Sequence, residues 1–344
     1  MYRSSMNRAV KSRSAEALIA EMENSPSVKT ITAVLQLENF EPVFDYAKSV
    51  NATYHDGIVE LRAIVEFSNY CACACRYCGL NCTNAQIKRY RMSEAEIIER
   101  ALEAETAGYR TVVLQSGEDA FFTKEKIAFI VSHIKRQSKL AVTLSIGERS
   151  FEELQYFRAA GADRFLLKHE TADAKLYEKL HPDHRLEDRL QCLRNIKALG
   201  YETGSGFIIG VPQQTTETIA RDILLLKDLP CDMAGIGPLI PCEGTALENE
   251  KAGDPLLTKK AVALTRIILP QANLPATTAL EVLEEGASTR HVFDCGANVI
   301  MRKVTPQKYE ELYKIYPSHI TVENIFTERK ALEEKITRLG YIPR

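Results

Sequence analysis

Residues 59–82 read VELRAIVEFSNYCACACRYCGLNC, an apolar run that leads directly into a segment with five cysteines. The apolar part, residues 59–67, is rich in β-branched and aromatic side chains, a composition typical of a buried strand. Similar runs recur downstream and alternate with longer amphipathic segments, a pattern that indicates βα units around a parallel sheet. The sequence therefore predicts an α/β fold whose first βα loop carries the cysteines.

Seven further strands are predicted after this one. They cover residues 111–115, 141–145, 164–168, 206–209, 233–239, 276–278 and 298–301. The segments between them carry helix signals: Ser93 and Glu96 have capping-box spacing, and Thr123 and Thr215 precede amphipathic runs. Eight strand–helix pairs predict a closed (βα)8 TIM-type barrel, whereas six would predict a partial one. In such barrels the chemistry sits in the loops after the strands, which is where the cysteine loop lies.

The barrel is predicted to span residues 58–304. Residues 1–57 are expected to form extra helices that cover its bottom, and residues 305–344 extra helices near its mouth or flank. The net charge of −2 gives no reason to expect a nucleic-acid or membrane partner. No apolar run reaches the roughly 20 residues of a membrane helix, and the N-terminus lacks the apolar stretch of a signal peptide, so we expect a cytoplasmic location.

Nine cysteines are present, and five of them lie between Cys71 and Cys82. An odd number crowded into one loop of a large chain does not indicate a disulfide framework. Cys71, Cys75 and Cys78 have spacings that let three thiolates converge on one face of a [4Fe–4S] cluster and leave one iron open. We expect Cys73, which lies between two of these ligands, to turn away from the cluster.

Two other interpretations of this loop stay open. Cys-x2-Cys is a common half of a structural zinc site, and a zinc-stabilised binding protein without catalysis would contain it. The cysteines that would have to complete such a site are scattered singly downstream, at Cys192, Cys231, Cys242 and Cys295. A thioredoxin-like redox pair is the other alternative, but its Cys-x2-Cys belongs at a helix start in a different fold.

The pattern Cys71-x3-Cys75-x-Tyr77-Cys78 resembles the signature of the radical S-adenosylmethionine (SAM) superfamily. This resemblance implies a reducible [4Fe–4S] cluster, with SAM bound to the open iron through its amino and carboxylate groups. One electron then breaks the sulfonium bond and yields methionine and a 5′-deoxyadenosyl radical inside the barrel. The electron would come from a low-potential donor such as ferredoxin or flavodoxin.

The resemblance also assigns residues to SAM. Gln115 and Ser116, in the segment QSGED, match the segment that contacts the SAM amino group, although a plain βα turn is the alternative. Glu170, in HETAD, is expected to contact the ribose or the ammonium group. Arg189, in DRL, is expected to bind the carboxylate through two hydrogen bonds, although an arginine in a helix is otherwise a solvated charge. The adenine is expected near Tyr77 and Ile208, although a loop aromatic packed in the core and a plain buried strand are the alternatives. Met233 and Ile236 belong to the next strand, which is expected to offer backbone groups to the adenine.

A longer set of segments resembles the HydE family of [FeFe]-hydrogenase maturases. Among them are RAIVEFSNYC, KRYRMS, TVVLQSGED, ADRFLLKHETAD, GIGPLIP, LPATTA and CGANVIM, which spread over about residues 60–301. Methylornithine synthase and biotin synthase are related more distantly. The resemblance implies radical attack at the sulfur of a cysteine-bound iron carbonyl cyanide complex during H-cluster assembly, together with other hydrogenase maturases. The substrate cavity would be lined by Thr143, Lys168, Thr277, Thr278 and Tyr313, with Met233 beside them; for Thr277 and Thr278, β-propensity alone is the alternative.

Three features depart from the HydE pattern. Lys168 occupies the position at which the family has arginine before His-Glu-Thr-Ala. Lysine cannot form the two parallel hydrogen bonds that a planar guanidinium donates to a carboxylate. Arg302, Lys303 and Val304 replace a Pro-Asn-Trp-like stretch, and no cysteine follows Cys295 to hold a second cluster. The first two departures leave a second interpretation open, a HydE-like or methylornithine-synthase-like enzyme that acts on an amino acid or another small thiol substrate.

Overall fold

Strands and helices alternate from residue 58 onward in the computed structural model, which describes residues 14–284, 290–317 and 324–344. The strands are β1 Ile58–Ser68, β2 Thr111–Ser116, β3 Ala141–Ser145, β4 Arg164–Leu166, β5 Glu202–Ile209, β6 Met233–Pro238, β7 Pro275–Ala276, β8 Val299–Lys303 and β9 Ile342–Pro343. The helices are α1 Ala15–Asn24, α2 Val28–Leu35, α3 Glu41–His55, α4 Glu94–Thr106, α5 Lys124–Gln137, α6 Phe151–Ala159, α7 Ala174–Leu180, α8 Leu186–Ala198, α9 Thr216–Asp228, α10 Pro255–Ile268, α11 Thr278–Leu283, α12 Gln307–Glu310 and α13 Ile325–Arg338.

The first eight strands form one parallel sheet in the order β6-β5-β4-β3-β2-β1-β8-β7. Its two edges meet where Met233 of β6 pairs with Asn273, just before β7. The result is a nearly closed eight-stranded barrel with helices outside it. The predicted α/β barrel is therefore confirmed.

Local sequence signals account for the starts of several helices. The capping box of α4 forms as predicted: Glu96 N–H donates to Ser93 Oγ at 3.3 Å, and Ser93 N–H donates to Glu96 Oε2 at 2.8 Å. Thr215 caps α9 in the same way, with Thr218 as its partner. Thr123 precedes α5 but makes no side-chain cap.

Three strands differ from their predicted extents. β4 and β7 are shorter, so Lys168 lies in the loop after β4, and Thr278 is the first residue of α11 with Thr277 before it. β5 is longer and begins at Glu202. Residues 202–205 read Glu-Thr-Gly-Ser, in which Thr203 alone favours a strand, but they pair with β4 and β6, and this tertiary pairing decides their conformation.

Segments outside the barrel close its lower end. Three helices precede β1 within residues 14–57, and Asn51 of α3 donates to the backbone oxygen of Ala297 at 3.3 Å. At the other end of the chain, β9 pairs with the start of β1, with Ile342 opposite Ile58. Residues 1–13 of the predicted N-terminal segment lie outside the described residues. Among the helices that the structure describes, none has the length and apolarity to span a bilayer.

The direction of the β1 side chains defines the barrel interior. Arg62 Nη1 lies 3.3 Å from Met233 Sδ, on the strand across the barrel. Because side chains alternate along a strand, Arg62, Ile64 and Glu66 all point inward. Thr143 pairs with Val113, which pairs with Ile64, so Thr143 lies level with Ile64 of β1. Because β1 ends four residues later, at Ser68, Thr143 lies about 13 Å below that end at roughly 3.3 Å per residue.

Candidate functional site

The cysteine loop begins where β1 ends, and backbone hydrogen bonds fix it to three other segments. The donors and acceptors are Ala72 N–H to Glu118 O, Arg76 N–H to Leu180 O and Gly79 N–H to Ile315 O, each at 2.9 Å. The loop is therefore held against the turn after β2, the end of α7 and the segment after α12. All three contacts lie at the carboxyl ends of the barrel strands, where such barrels carry their active sites.

Gly117 allows the turn after β2 to approach the cysteine loop closely. A Cβ atom at this position would lie 2.3 Å from Tyr70 O and 2.6 Å from Cys71 Cβ. Neither atom belongs to the far end of a flexible side chain, so no other residue fits without moving the backbone. The glycine in QSGED is thus explained by packing against the first of the three predicted cluster ligands.

The five cysteines of the loop differ in exposure. Cys71, Cys75 and Cys78 are half-buried, whereas Cys82 is exposed. Cys73 is buried, and its thiol contacts those of Cys71 and Cys75. The expectation that the Cys73 sulfur turns away from a bound cluster stays a prediction. The Cys73 backbone oxygen accepts a hydrogen bond from Cys82 N–H at 2.9 Å, which draws this part of the loop inward.

The surroundings of these thiols disfavour thiolates unless a cation binds them. The hydrogen bond with Cys73, followed by burial, raises the pKa of Cys71, and burial raises the pKa of Cys78 to about 12. Within residues 14–284, 290–317 and 324–344, no three His, Cys, Asp or Glu side chains are already gathered as metal ligands. Metal binding displaces thiol protons and draws the sulfurs together. Three thiols on one short loop at the barrel mouth are a suitable donor set for an iron–sulfur cluster.

Asp119 anchors the segment after β2. Its carboxylate accepts a hydrogen bond from Ser68 Oγ at 2.6 Å and two from Arg91, from Nε at 2.7 Å and Nη2 at 2.9 Å. Arg91 belongs to the KRYRMS segment, which is thereby tied to the end of β1. These bonds hold the QSGED turn in a fixed position beside the cysteine loop.

Gln115 and Ser116 lie on either side of the sheet at the end of β2. Gln115 Nε2 donates to the Tyr313 hydroxyl at 3.3 Å, so a predicted SAM ligand contacts a predicted substrate ligand. Ser116 Oγ donates to Gly117 O at 2.7 Å. Glu66 is in register with Gln115, and both point to the interior.

Arg189 is buried on α8 rather than solvated. Its Nε lies 2.5 Å from Glu148 Oε1, and its Nη1 donates to Lys168 O at 2.6 Å. Glu148 follows β3 in the segment SIGE, and the turn of Gly147 places it against Glu118. The guanidinium thus lies among the loops after β2, β3 and β4, where the resemblance puts the SAM carboxylate.

Glu170 adopts a left-handed backbone conformation with φ of 64°, which is uncommon for a residue other than glycine. Its N–H donates to Gly206 O, and its carbonyl accepts from Ile208 N–H, so β5 holds the strained residue in place. The carboxylate is largely buried, and its Oε2 lies 3.0 Å from Lys168 Nζ. Lys168 therefore neutralises Glu170 within the site.

Tyr77 packs on a small apolar cluster beside the cysteine loop. The cluster consists of Leu176, Leu180, Ile208, Val211 and Leu239, with Leu247 at its edge. The Tyr77 hydroxyl lies 3.0 Å from His181 Nε2. Burial lowers the pKa of His181 to about 4, so this imidazole is neutral near pH 7. Tyr77 and Ile208, both predicted near the adenine, are brought together here.

Other predicted residues lie lower in the barrel. Met233 begins β6 and lines a small cavity with Arg62 and Thr143, at the end opposite the cysteine loop. Thr143 Oγ1 is buried there and lacks a hydrogen-bond partner among the described residues. Higher up, Thr277 Oγ1 lies 3.4 Å from the backbone oxygen of Ile236.

The barrel interior between the cysteine loop and the small lower cavity contains polar residues that sequence reasoning did not assign to the site. Glu66 is 1% exposed, and its Oε1 lies 3.2 Å from Lys303 Nζ. The Tyr316 hydroxyl contacts the Thr278 side chain. Glu148 and His181 were missed as well. The inward alternation of β1 gives a signal for Glu66, whereas the other partners depend on loop paths that no local pattern specifies.

Comparison with known proteins places the chain in a family. Residues 65–226 match the model of the radical SAM superfamily. The [FeFe] hydrogenase maturase subunit HydE of Thermotoga maritima is 49% identical over 82% of this chain and 80% of that protein. A 3-methylornithine synthase of Methanosarcina acetivorans is 31% identical over 89% of this chain and 84% of that protein.

Solved structures agree with this placement. A crystal structure of methylornithine synthase (PylB) superposes with a TM-score of 0.83 and 25% identity, over 95% of this chain and 97% of that one. The maturase HydG superposes with a TM-score of 0.80 at 18% identity, over 97% of this chain and 77% of that one, a likeness of fold. With its cysteine loop at the mouth of such a barrel, this chain belongs to the radical SAM superfamily of enzymes and is HydE-like within it.

Proposed function

We propose that this chain is a HydE-type maturase that acts at the sulfur of a cysteine-bound iron carbonyl cyanide complex during assembly of the [FeFe]-hydrogenase H-cluster. The observation that carries the proposal is the 49% identity to a HydE protein over most of both chains. Its catalytic unit would be the barrel of residues 58–304, with residues 1–57 and 305–344 as helical extensions.

Cys71, Cys75 and Cys78 would hold one [4Fe–4S] cluster whose fourth iron has no protein ligand. When bound, this cluster supplies the electron that cleaves SAM to methionine and a 5′-deoxyadenosyl radical. The protein's contribution is a rigid loop: three backbone hydrogen bonds and the Gly117 contact support its position. A low-potential ferredoxin or flavodoxin would deliver the electron, and the enzyme would work in the cytoplasm with other hydrogenase maturases.

SAM would lie between the cysteine loop and the loops after β2 to β5. Arg189 would bind its carboxylate, because the buried guanidinium keeps a fixed orientation against Glu148 and Lys168 O. Glu170, with Gln115 and Ser116, would receive the amino group and the ribose. The adenine would pack near Tyr77 and Ile208, with Met233 and Ile236 as the remaining predicted contacts.

The second substrate would lie below SAM in the barrel. Thr277, Thr278 and Tyr313 would offer hydroxyl groups to it, with Lys168 above and Thr143 below. The unpartnered Thr143 hydroxyl supports a polar occupant, because a buried hydroxyl without a partner is unfavourable. Closure of this interior from water would protect a radical from side reactions.

A second candidate function is a HydE-like enzyme whose substrate is an amino acid or another small thiol. The observation that favours it is the pair of interior lysines, Lys168 and Lys303, each 3.0–3.2 Å from a carboxylate of the chain. Cationic side chains of this kind suit the carboxylate of a small charged ligand.

Two anaerobic measurements test the proposal. Reconstituted protein with SAM and reductant should form 5′-deoxyadenosine, and a colourless zinc-loaded protein that forms none would contradict radical SAM chemistry. The protein should then replace HydE in a defined maturation mixture that activates apo-hydrogenase. Deoxyadenosine formation without hydrogenase activation, stimulated instead by an amino acid, would favour the second candidate function.

A further inference from the structure

A charged pair lies inside the barrel, between the SAM region and the lower cavity. Glu66 comes from β1 and Lys303 from the end of β8, and the two strands are adjacent in the sheet. Glu66 Oε1 is 3.2 Å from Lys303 Nζ, and Glu66 Oε2 is 3.5 Å from Thr305 Oγ1. The pair therefore faces the space in which the second substrate would bind.

The two charges differ in how far they are covered. The Glu66 side chain is 1% exposed, while that of Lys303 is 16% exposed. Within the described residues, the Lys303 ammonium has Glu66 as its ion-pair partner, and an ammonium group has three N–H donors. Lys303 thus retains donors for a ligand that enters the barrel.

Polar groups of the predicted substrate site surround this pair. Glu66 lies near the phenols of Tyr313 and Tyr316: burial, and after it the charge of Glu66, raises the pKa of each. Tyr316 contacts Thr278, and Tyr313 contacts Gln115. Glu66 and Lys303 therefore belong to one continuous polar surface inside the barrel. This surface includes Tyr313 and Thr278, which the family resemblance assigns to the substrate cavity.

We propose that Lys303 and Glu66 determine substrate specificity by binding a zwitterionic α-amino-acid group, with its carboxylate on Lys303 and its ammonium on Glu66. The assignment rests on the proposed radical SAM function and names the part of the substrate that is recognised. Two opposite charges at short distance match the two charges of an amino acid, so each charge stays compensated when the ligand is bound. Burial raises the pKa of Glu66 to about 7, although the charge of Lys303 opposes this shift, so the pair is fully ionised above neutral pH.

The energetics of buried charge support a binding role over a purely structural one. A buried ion pair is often no more stabilising than apolar residues of similar volume, so stability alone does not explain its presence. A ligand with one charge would add a net charge to this buried, otherwise neutral pair, which is unfavourable at low dielectric.

Binding of three small thioethers to the cluster-loaded, SAM-bound protein tests the proposal. The probes are S-methyl-L-cysteine, 2-(methylthio)ethylamine without the carboxylate, and 3-(methylthio)propanoate without the ammonium group. Calorimetry without reductant keeps SAM intact. The native chain should bind the amino acid roughly 10- to 100-fold more tightly than either single-charge analogue, since each charged contact contributes about that factor.

Variants assign each charge to its residue. Lys303→Met should abolish the preference over the amine, and Glu66→Gln the preference over the acid, whereas Lys303→Arg should keep both preferences. Lys308→Met is the matched control, because Lys308 is 63% exposed and pairs with Glu96 outside the barrel. It should leave all affinities unchanged.

The proposal is overturned if the native chain binds the three probes equally or not at all, or if Lys303→Met keeps the native preference. Deoxyadenosine formation is measured in the same preparations. Its absence from the native protein would contradict the radical SAM function, whereas its presence with no probe preference would overturn only the assignment of Lys303 and Glu66.

Discussion

The Tyr77 hydroxyl lies 3.0 Å from His181 Nε2, so the residue before Cys78 is tied to the end of α7. The same side chain packs on Leu180 and Ile208. Arg76 N–H donates to Leu180 O, which fixes the cysteine loop to the same segment. Side-chain and backbone contacts thus couple the position of the predicted cluster ligands to the wall of the predicted SAM site.

The Tyr77 ring should matter more than its hydroxyl. Tyr77→Phe removes one hydrogen bond and should lower the free energy of unfolding by about 1 kcal/mol, with SAM cleavage retained. Tyr77→Ala also removes the buried ring and should lower it by about 3 kcal/mol, with less iron retained after reconstitution. Denaturant unfolding of the apo-protein and iron analysis check both results. Equal damage from the two variants would show that the hydroxyl is essential.

Burial of His181 should make the protein less stable in acid. Its pKa is about 4 when folded and 6.5 when unfolded, because burial disfavours the imidazolium. Between these values the unfolded state binds the extra proton, so stability falls as the pH falls from 6.5 to 4. From pH 7 to pH 5 this group should remove about 2 kcal/mol of unfolding free energy.

Denaturant unfolding of the apo-protein at the two pH values measures this loss. His181→Gln should reduce it by about 2 kcal/mol. His133→Gln, at a half-buried position on α5, is the control and should leave the native pH dependence in place. An unchanged pH dependence in His181→Gln would contradict the account.

Arg189→Lys should weaken SAM binding roughly tenfold without loss of the cluster, because one of two charge-assisted hydrogen bonds is lost while the charge remains. The control is Arg194→Lys on the same helix, where the arginine is 48% exposed and pairs with Glu187. Equilibrium binding of SAM to the reconstituted variants measures the difference in affinity. If the two variants bind SAM equally well, Arg189 is a structural residue.

Gly117→Ala should prevent the cysteine loop from taking its position. The new methyl group would meet Tyr70 O at 2.3 Å, so the loop after β2 has to shift. Iron bound after reconstitution should fall well below the native amount. Gly235→Ala is the control, since the nearest atom to its added Cβ, Ser205 O, is 3.8 Å away. Normal iron content in Gly117→Ala would mean that the contact is dispensable.

The fold was predictable because its signals are local and repeated. Apolar runs and capping residues such as Ser93 indicate each βα unit, and eight such units indicate a barrel. The ends of β5 and β7 were less predictable. Residues 202–205 form a strand through pairing with neighbours, and Thr278 begins a helix, although β-branched residues favour strands.

The candidate site was predictable only where a motif or a resemblance covered it. The cysteine spacing and the DRL and HETAD segments point to Cys71, Arg189 and Glu170. Glu148 and His181 have no such signal, because a contact between distant loops depends on how the barrel closes. Cysteine spacing likewise does not reveal the hydrogen bond from Cys82 N–H to Cys73 O, which holds the backbone of this part of the loop.

The most direct test of the whole account compares two cysteines of the same loop. Cys75→Ala and Cys82→Ala are each reconstituted anaerobically, and iron content and 5′-deoxyadenosine formed from SAM with reductant are measured. Cys75→Ala should lose the intact cluster and form no 5′-deoxyadenosine, whereas Cys82→Ala, at an exposed position, should match the native protein. Deoxyadenosine formation by Cys75→Ala at the native rate, or its loss in Cys82→Ala alone, would contradict the assignment of the cluster ligands.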